Sequence, residues 1–319
     1  MIRPIAASGT VAAVLFVFAC STGPEVEPDP EEVEPSEEPE ILEVHTEDLV
    51  VAPQWLEERL QEPELVVLHV GDDYDEWASA HIPGQDFVAF EEIVEGDPDR
   101  GFSIGDVDEL RQAFESAGVG DDDQVVLTGG LEGLMATRGF LSLEVLGRTD
   151  GVALLDGGLE QWREEQRPLS DSPVEPTPGS LSVEASTEMI LEADDVLARI
   201  DDAAYQLVDA RPSEEFRGEV AGDGVERAGH IPGAVNLFWK EMLKVDDRPL
   251  FLSVDEIAEK YRAAGVDEQA TIIAYCRTGM QSSFGYFVGR LMGRDTLIYD
   301  GSMVDWTQDE ERPVVNGED

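Results

Sequence analysis

Thiols are scarce in this chain: 319 residues contain two cysteines, Cys20 and Cys276. Cys20 lies too near the N-terminus to belong to a packed core, so no intramolecular disulfide framework is expected. Two cysteines also exclude the usual thiolate zinc sites. The four histidines, His45, His69, His81 and His230, show no ligand spacing of the H-x-x-x-H kind, and no metal is expected. Cations are few as well: 21 lysines and arginines stand against 71 aspartates and glutamates, a formal net charge of -50. A surface of that sign repels a phosphate backbone, so nucleic acid is not a partner. It suits a solvated body in high salt, where self-repulsion is screened, and says little about chemistry.

Long apolar runs are missing too. Val11 to Ala19, behind Arg3 and the free amine, is too short to span a membrane and reads as the apolar centre of an export signal over residues 1–19. The following Val17-Phe18-Ala19-Cys20 is similar to a bacterial lipobox, in which Cys20 becomes a lipidated N-terminus, although Phe18 fits that pattern poorly; an ordinary cleaved signal is the alternative. Residues 20–42 are acidic, Pro-rich and almost free of hydrophobes, the composition of an extended tether. Together these features predict a lipid anchor on Cys20 and a place in the bacterial cell envelope, facing the periplasm or the exterior.

What is present repeats. His81-Ile82-Pro83-Gly84 recurs as His230-Ile231-Pro232-Gly233, Ala117-Gly118-Val119 as Ala264-Gly265-Val266, and Asp156-Gly157 with Trp162 as Asp300-Gly301 with Trp306. Three pairs in one order, at slowly drifting offsets, mean a duplicated domain: residues 43–169 and 187–319, joined by a linker at 170–186 whose Ser/Pro composition carries no hydrophobic period. In each copy short apolar runs alternate with helical patterns. They are Leu65–Val70, Gln124–Leu127 and Val152–Leu155 in the first, then Gln206–Asp209, Thr271–Tyr275 and Thr296–Tyr299 in the second. The alternation predicts an α/β fold, each copy a parallel sheet with helices on both faces. Ser253 and Glu256 have capping-box spacing, and Phe284, Phe287, Val288 and Leu291 mark the buried face of a later helix.

Cys276 sits between the strand pattern ending at Tyr275 and that helix. A strand-to-helix turn gathers backbone N–H groups and a helix N-terminus around the thiol, features that stabilise a thiolate. The corresponding stretch of the first copy, Val125 to Leu131, has no cysteine. The C-x5-R pattern of the cysteine phosphatases fails here because the sixth residue after Cys276 is Ser282.

Taken in order, Asp209-Ala210-Arg211, Gly229-His230-Ile231-Pro232-Gly233-Ala234-Val235-Asn236, the Cys276 loop and the Asp300-Gly301 turn resemble the successive signatures of the rhodanese family of sulfurtransferases. The resemblance runs from about residue 43 to the end, as a tandem pair of which the second member bears the cysteine. It implies that Cys276 is the catalytic nucleophile, attacking a small anionic sulfur donor such as thiosulfate, releasing sulfite and passing the sulfur to a thiophilic acceptor, cyanide or a thiol. A lone activated thiolate suffices for that exchange, and no cofactor is expected. The loop N–H groups of Arg277, Thr278, Gly279, Met280, Gln281 and Ser282 would stabilise the sulfur, and Arg277 would hold the anionic end of the donor. Arg217 or Arg227 is expected to supply a second cation, while Glu215 stands near a position that some relatives fill with arginine. Asp209 and Arg211 are expected to form a structural pair beneath the loop, and His81, His230, Trp162 and Trp306 to pack turns and core. The mercaptopyruvate branch typically follows its cysteine with Gly-Ser-Gly; Arg277-Thr278-Gly279 favours thiosulfate. A non-catalytic sulfur carrier would use the same Cys276.

Overall fold

The computed structural model describes residues 49–97, 100–182, 184–245 and 247–317; the export signal, Cys20 and the acidic tether lie outside the described residues. The first half contains β1 (Val50–Val51), α1 (Pro53–Glu57), β2 (Leu65–Gly71), α2 (Tyr74–Ser79), β3 (Asp86–Ala89) and a hairpin of β4 (Val94–Asp97) and β5 (Gly101–Ile104). It continues with α3 (Val107–Ser116), β6 (Gln124–Gly129), α4 (Leu134–Val145), β7 (Val152–Leu155) and α5 (Gly158–Glu164). The second half follows the same plan: β8 (Ile190–Leu191), α6 (Ala193–Leu197), β9 (Tyr205–Asp209), α7 (Ser213–Phe216), β10 (Val235–Asn236) and α8 (Val254–Ala263). Then come β11 (Thr271–Tyr275), α9 (Met280–Leu291), β12 (Thr296–Tyr299) and α10 (Ser302–Trp306). The sheets, β1-β7-β6-β2-β3 and β8-β12-β11-β9-β10, have the same strand order, and every pair in them is parallel.

Side chains alternate along a strand, so each sheet has two faces to bury. Leu68, Val70, Val125, Leu127 and Leu154 of the first sheet share one cluster with Val208, Ile272 and Ile298 of the second. Between them lie α3, α4, α8 and α9, contributing Leu110, Phe140, Ile257 and Phe287. The opposite faces are covered separately. Val67, Val126, Ala153 and Leu155 pack against Leu56 of α1 and Trp162 of α5; Leu207, Ile273, Tyr275 and Tyr299 pack against Val196 of α6 and Trp306 of α10. The halves therefore share a core, and its seam is α4 on α9, where Phe140 meets Phe287 edge-on at 4.9 Å. Across the same seam the buried Glu144 accepts the Tyr286 hydroxyl at 2.5 Å and Arg290 Nε at 3.0 Å.

Both halves close alike. His81 exchanges backbone hydrogen bonds with Ser170, and His230 with Val315. The indole N–H of Trp162 donates to the Pro168 carbonyl at 2.7 Å, and that of Trp306 to the Pro313 carbonyl at 2.8 Å. His230 stacks on Phe216 at 3.7 Å and bonds its carbonyl through Nδ1 at 2.8 Å. The histidines thus clamp turns to the segment that follows the last helix of each half, and the tryptophans fill the core. The Ser253–Glu256 capping box starts α8 as its spacing predicts.

The halves also trade loops. Phe102 of β5 donates its N–H to the Thr278 carbonyl at 2.8 Å, and Ile104 donates to the Asp300 carboxylate at 2.7 Å. In return, Gly157 donates to the Pro249 carbonyl and Phe251 to Asp156 Oδ1, each at 2.9 Å. Each half therefore lays backbone over the strand-to-helix turn of the other.

Candidate active site

The β-branched run of β11 carries the chain to Tyr275, and Cys276 begins the turn into α9. The turn is possible because Gly279 takes φ +91°, in the left-handed region. It is also crowded: a side chain at Gly279 would come within 2.5 Å of the Phe102 carbonyl oxygen and 2.8 Å of that of Asp300. The Gly279 N–H, at the N-cap of α9, is thereby aimed at Cys276 Sγ, 3.2 Å away. Cys276 is 1% exposed and free. Its carbonyl and that of Arg277 accept the N–H groups of Met303 and Val304 at 3.1 and 3.0 Å, which leaves Sγ on the side facing α9.

Two hydroxyls flank the sulfur. Ser282 Oγ lies 3.6 Å from Sγ and itself donates to the Gly279 carbonyl at 2.8 Å. Ser302 Oγ lies 3.8 Å from Sγ, accepts the Cys276 N–H at 3.1 Å and donates to the Tyr299 carbonyl at 3.0 Å. Ser302 holds φ +54°, uncommon for a residue with a side chain, whereas its counterpart in the first half is Gly158 at φ +61°. The strained serine occurs only in the half that has the thiol.

Beside the loop, Arg211 binds Asp209 through Nη2 at 2.6 Å and Nε at 3.0 Å, and donates to the Gly229 carbonyl at 2.8 Å. Both residues are fully buried. Burial pulls the Arg211 guanidinium down, but the charge and hydrogen bonds of Asp209 outweigh it and raise the group above its ordinary value. Arg211 Nη1 lies 3.8 Å from Glu215, whose other oxygen lies 3.9 Å from Arg277 Nη1. Burial lifts the Glu215 carboxyl above the usual carboxylate range, against the pull of Arg211 and Arg277. Arg277 remains 35% exposed at its side chain.

The structure therefore gathers Arg277, Thr278, Gly279, Met280, Gln281 and Ser282 around Cys276, with Asp209 and Arg211 alongside. Arg217 pairs with Glu219 at 2.9 Å, and its carbonyl accepts the Gly317 N–H. Arg227 is placed differently from the expectation. It donates to the carbonyls of Arg312 and Asp309 at 2.7 Å and reaches those of Thr307 and Trp306 at 3.4 and 3.5 Å. That guanidinium ties down the C-terminal segment, with Nε, Nη1 and Nη2 all directed to its carbonyls.

In the first half the register puts Gly129 where Cys276 stands. Even one added carbon there would meet the Ala136 backbone nitrogen at 2.4 Å, and one at Gly133 would meet Pro249 at 2.6 Å. This turn is filled. Sequence reasoning missed Ser302 and Arg138 at the intact turn. Arg138 of α4 is 0% exposed and reaches across the seam, donating to Asp300 Oδ1 and Oδ2 at 2.6 and 2.9 Å and to Ser283 Oγ at 3.0 Å. The signals were there: an arginine inside the apolar run Leu134–Val145, and Gly158 replaced by Ser302 in the repeat.

Comparison with known proteins places these features. Residues 52–165 and 192–309 each match the family described as the rhodanese-like domain. A Mycolicibacterium smegmatis protein named for thiosulfate sulfurtransferase activity is 33% identical over 270 residues, covering 82% of this chain and 94% of its own length. The sulfur carrier protein TtuD of Thermus thermophilus is 31% identical over 284 residues, 85% of this chain and 98% of that one. A Pseudomonas aeruginosa protein named for 3-mercaptopyruvate sulfurtransferase activity is 32% identical over 282 residues, 83% and 97% of the two chains. Among solved structures, YnjE superposes with a TM-score of 0.72 at 24% identity, over 86% of this chain and 69% of its own. An EanB variant in complex with ergothioneine gives 0.74 at 22% identity, over 85% and 71%. At such identity these two structures speak for the fold.

The Ser302 geometry makes a prediction. Ser302→Gly installs the residue at the equivalent position of the first half; it relieves left-handed strain but leaves the buried Cys276 N–H without its acceptor, so unfolding stability should fall by about 1–2 kcal/mol. Loss of the hydroxyl that holds the Cys276 N–H should still lower sulfur transfer on the order of tenfold. Urea unfolding and steady-state assays read the two separately; a variant as active as the native chain would show that the hydroxyl serves packing alone.

Proposed function

This chain belongs to the rhodanese family of sulfurtransferases, and from that membership we propose that Cys276 takes the sulfane sulfur of thiosulfate, holds it as a persulfide and delivers it to a thiophilic acceptor. The Cys276 thiolate attacks the outer sulfur; the thiosulfate S–S bond breaks and sulfite leaves with the electron pair. Cyanide or a thiolate then attacks the terminal sulfur, and Cys276 departs as thiolate. The observation that carries this reading is the Gly279 N–H held 3.2 Å from Sγ at the start of α9. Such a donor supports the anionic sulfur on both sides of the exchange. An acyl-transfer thiol would need a base, and His230, the histidine of this half, is engaged with the Phe216 carbonyl and ring.

Thiosulfate is favoured over mercaptopyruvate because Cys276 is followed by Arg277-Thr278-Gly279 and not by the Gly-Ser-Gly typical of the mercaptopyruvate branch; the Arg277 fork would hold the anionic end of the donor. A sulfur carrier that relays to a protein acceptor would use the same persulfide, so the first experiment is common to both readings. Thiosulfate treatment should add the mass of one sulfur atom to Cys276, removable by a thiol reductant, and Cys276→Ser should neither gain it nor turn over. No adduct on the native chain, under conditions that load a known sulfurtransferase, would sink the proposal.

The donor-binding role of Arg277 has its own signature. Arg277→Ala should lower thiosulfate kcat/KM about ten- to a hundredfold, the loss of one charge-assisted contact. Alkylation of Cys276 by a neutral reagent should change far less. Glu215 competes for this arginine once ionised. Its carboxyl keeps its proton to higher pH than an ordinary glutamate, so the competition is weak at low pH and grows as pH rises through that raised value. Thiosulfate KM should therefore climb across this window in the native chain and stay low in Glu215→Gln. A flat KM in both would take Glu215 out of the donor site.

We further propose that the chain is held at the cell envelope by a lipid on Cys20. No helix among the described residues is long and apolar enough to cross a membrane, so the anchor would have to come from outside them. Cys20→Ala should move the protein from the membrane to the soluble fraction, and an unchanged distribution would dismiss the anchor.

A further inference from the structure

We propose that Arg138, supplied by the half that lacks a cysteine, is a positioning residue for sulfur transfer at Cys276. This rests on the reading of Cys276 as the sulfur-carrying nucleophile. The guanidinium touches no atom of the thiol. It grips both flanks of the turn: Asp300 through two contacts at 2.6 and 2.9 Å, Ser283 Oγ at 3.0 Å and the Gly279 carbonyl at 3.5 Å. Gly279 supplies the N–H that faces Sγ, and Ser302, which holds the Cys276 N–H, follows Asp300 by two residues. One planar cation therefore fixes the spacing between the α9 side and the Asp300 side of the sulfur cradle.

The duplication provides an internal control. In the reciprocal junction Asp156 occupies the place of Asp300 and receives the Phe251 N–H, as Asp300 receives that of Ile104. Five residues after the left-handed N-cap glycine, α4 has Arg138 and α9 has Phe284. The turn without a thiol is docked by the same loop exchange with phenylalanine at the equivalent position. Docking of the halves also has other support, from Phe140 on Phe287 and from Glu144 with Tyr286 and Arg290. The arginine is present only where a nucleophile must be held.

Arg138→Lys is the test. An ammonium on a shorter reach cannot bridge Asp300, Ser283 and Gly279 together. Turnover and first-turnover persulfide formation are measured with thiosulfate, 3-mercaptopyruvate and inorganic polysulfide, well below each variant's Tm. A positioning residue acts on the sulfur and not on the donor. The expected loss in kcat is therefore on the order of tenfold, the same for every donor the native chain uses, with each KM within about twofold. Tyr286→Phe, on the same seam but away from the turn, should lower Tm and leave kcat unchanged. Should Arg138→Lys fail to fold, Asp300→Asn carries the same expectation. Full activity in Arg138→Lys, a loss that differs between donors, or an equal loss in Tyr286→Phe would each overturn the proposal. If thiosulfate fails while another donor loads the native chain, the donor assignment falls and this test proceeds. If no donor loads Cys276, both fall.

Discussion

The contact on which the rest of this structure leans is the buried pair of Arg138 and Asp300, one from each half. Two charges removed from water at this depth are tolerated only with near-complete hydrogen bonding. Removing one partner of such a pair typically costs about 3–5 kcal/mol because the other is left uncompensated. Here Asp300 accepts from both guanidinium nitrogens and from the Ile104 N–H, while Arg138 also reaches Ser283; its Nε alone lacks a partner. Because Ile104 ends the β4–β5 hairpin and Phe102 of that hairpin holds the Thr278 carbonyl, three elements meet at this carboxylate. Separating the halves would strip the charge and open the cradle at once. The second half is thus a complete fold that depends on the first for the shape of its turn.

Duplication explains how a domain can become a clamp. Where the second half has Asp209 and Arg211, the register of the first gives His69 and Gly71. His69 bonds Thr128 Oγ1 at 2.8 Å, and burial, with Arg163 nearby, pushes it down to about 4. A neutral imidazole has replaced a buried ion pair. Gly129 replaces the cysteine and α4 has closed onto it, while Pro249 fills the space beside Gly133. These substitutions convert a turn that exposes N–H groups to a ligand into one packed against its neighbour, which lets α4 lend its arginine outward.

The inner strands were legible because each is an unbroken apolar run between helical patterns: Val152–Leu155, Thr271–Tyr275 and Thr296–Tyr299 appear with the bounds read from the sequence. The edge strands β1, β8 and β10 are two residues each and carry no period to read. Among candidate site residues, the turn from Cys276 to Ser282 and the Asp209–Arg211 pair could be located because chain neighbours form them. Arg138 could not: it lies 162 residues from Asp300, and one chain read alone does not show which half packs on which. The surroundings of Arg227 were hidden for the same reason. Its position in a loop of the second half gave no hint that the chain end would return to take its donors.

The acidity of the chain then acquires a local meaning. In a protein carrying a formal charge of -50, cations at the surface are paired readily: Arg277 faces Glu215, Arg217 holds Glu219 and Lys240 holds Glu132. A surface pair is worth little in stability, on the order of 0–1 kcal/mol, but each partner dilutes the attraction that a cation can offer an anionic ligand. Glu215 is the partner that matters, since it is mostly buried and couples Arg211 below to Arg277 at the mouth. Beside Cys276, then, Arg277 shares its charge with Glu215 while the sulfur itself is held by a backbone N–H. On the proposed reading, that arginine sets the preference for an anionic donor and Glu215 sets how much of its charge is free at a given pH, while the backbone N–H at Sγ serves the sulfur equally when it is accepted and when it is surrendered.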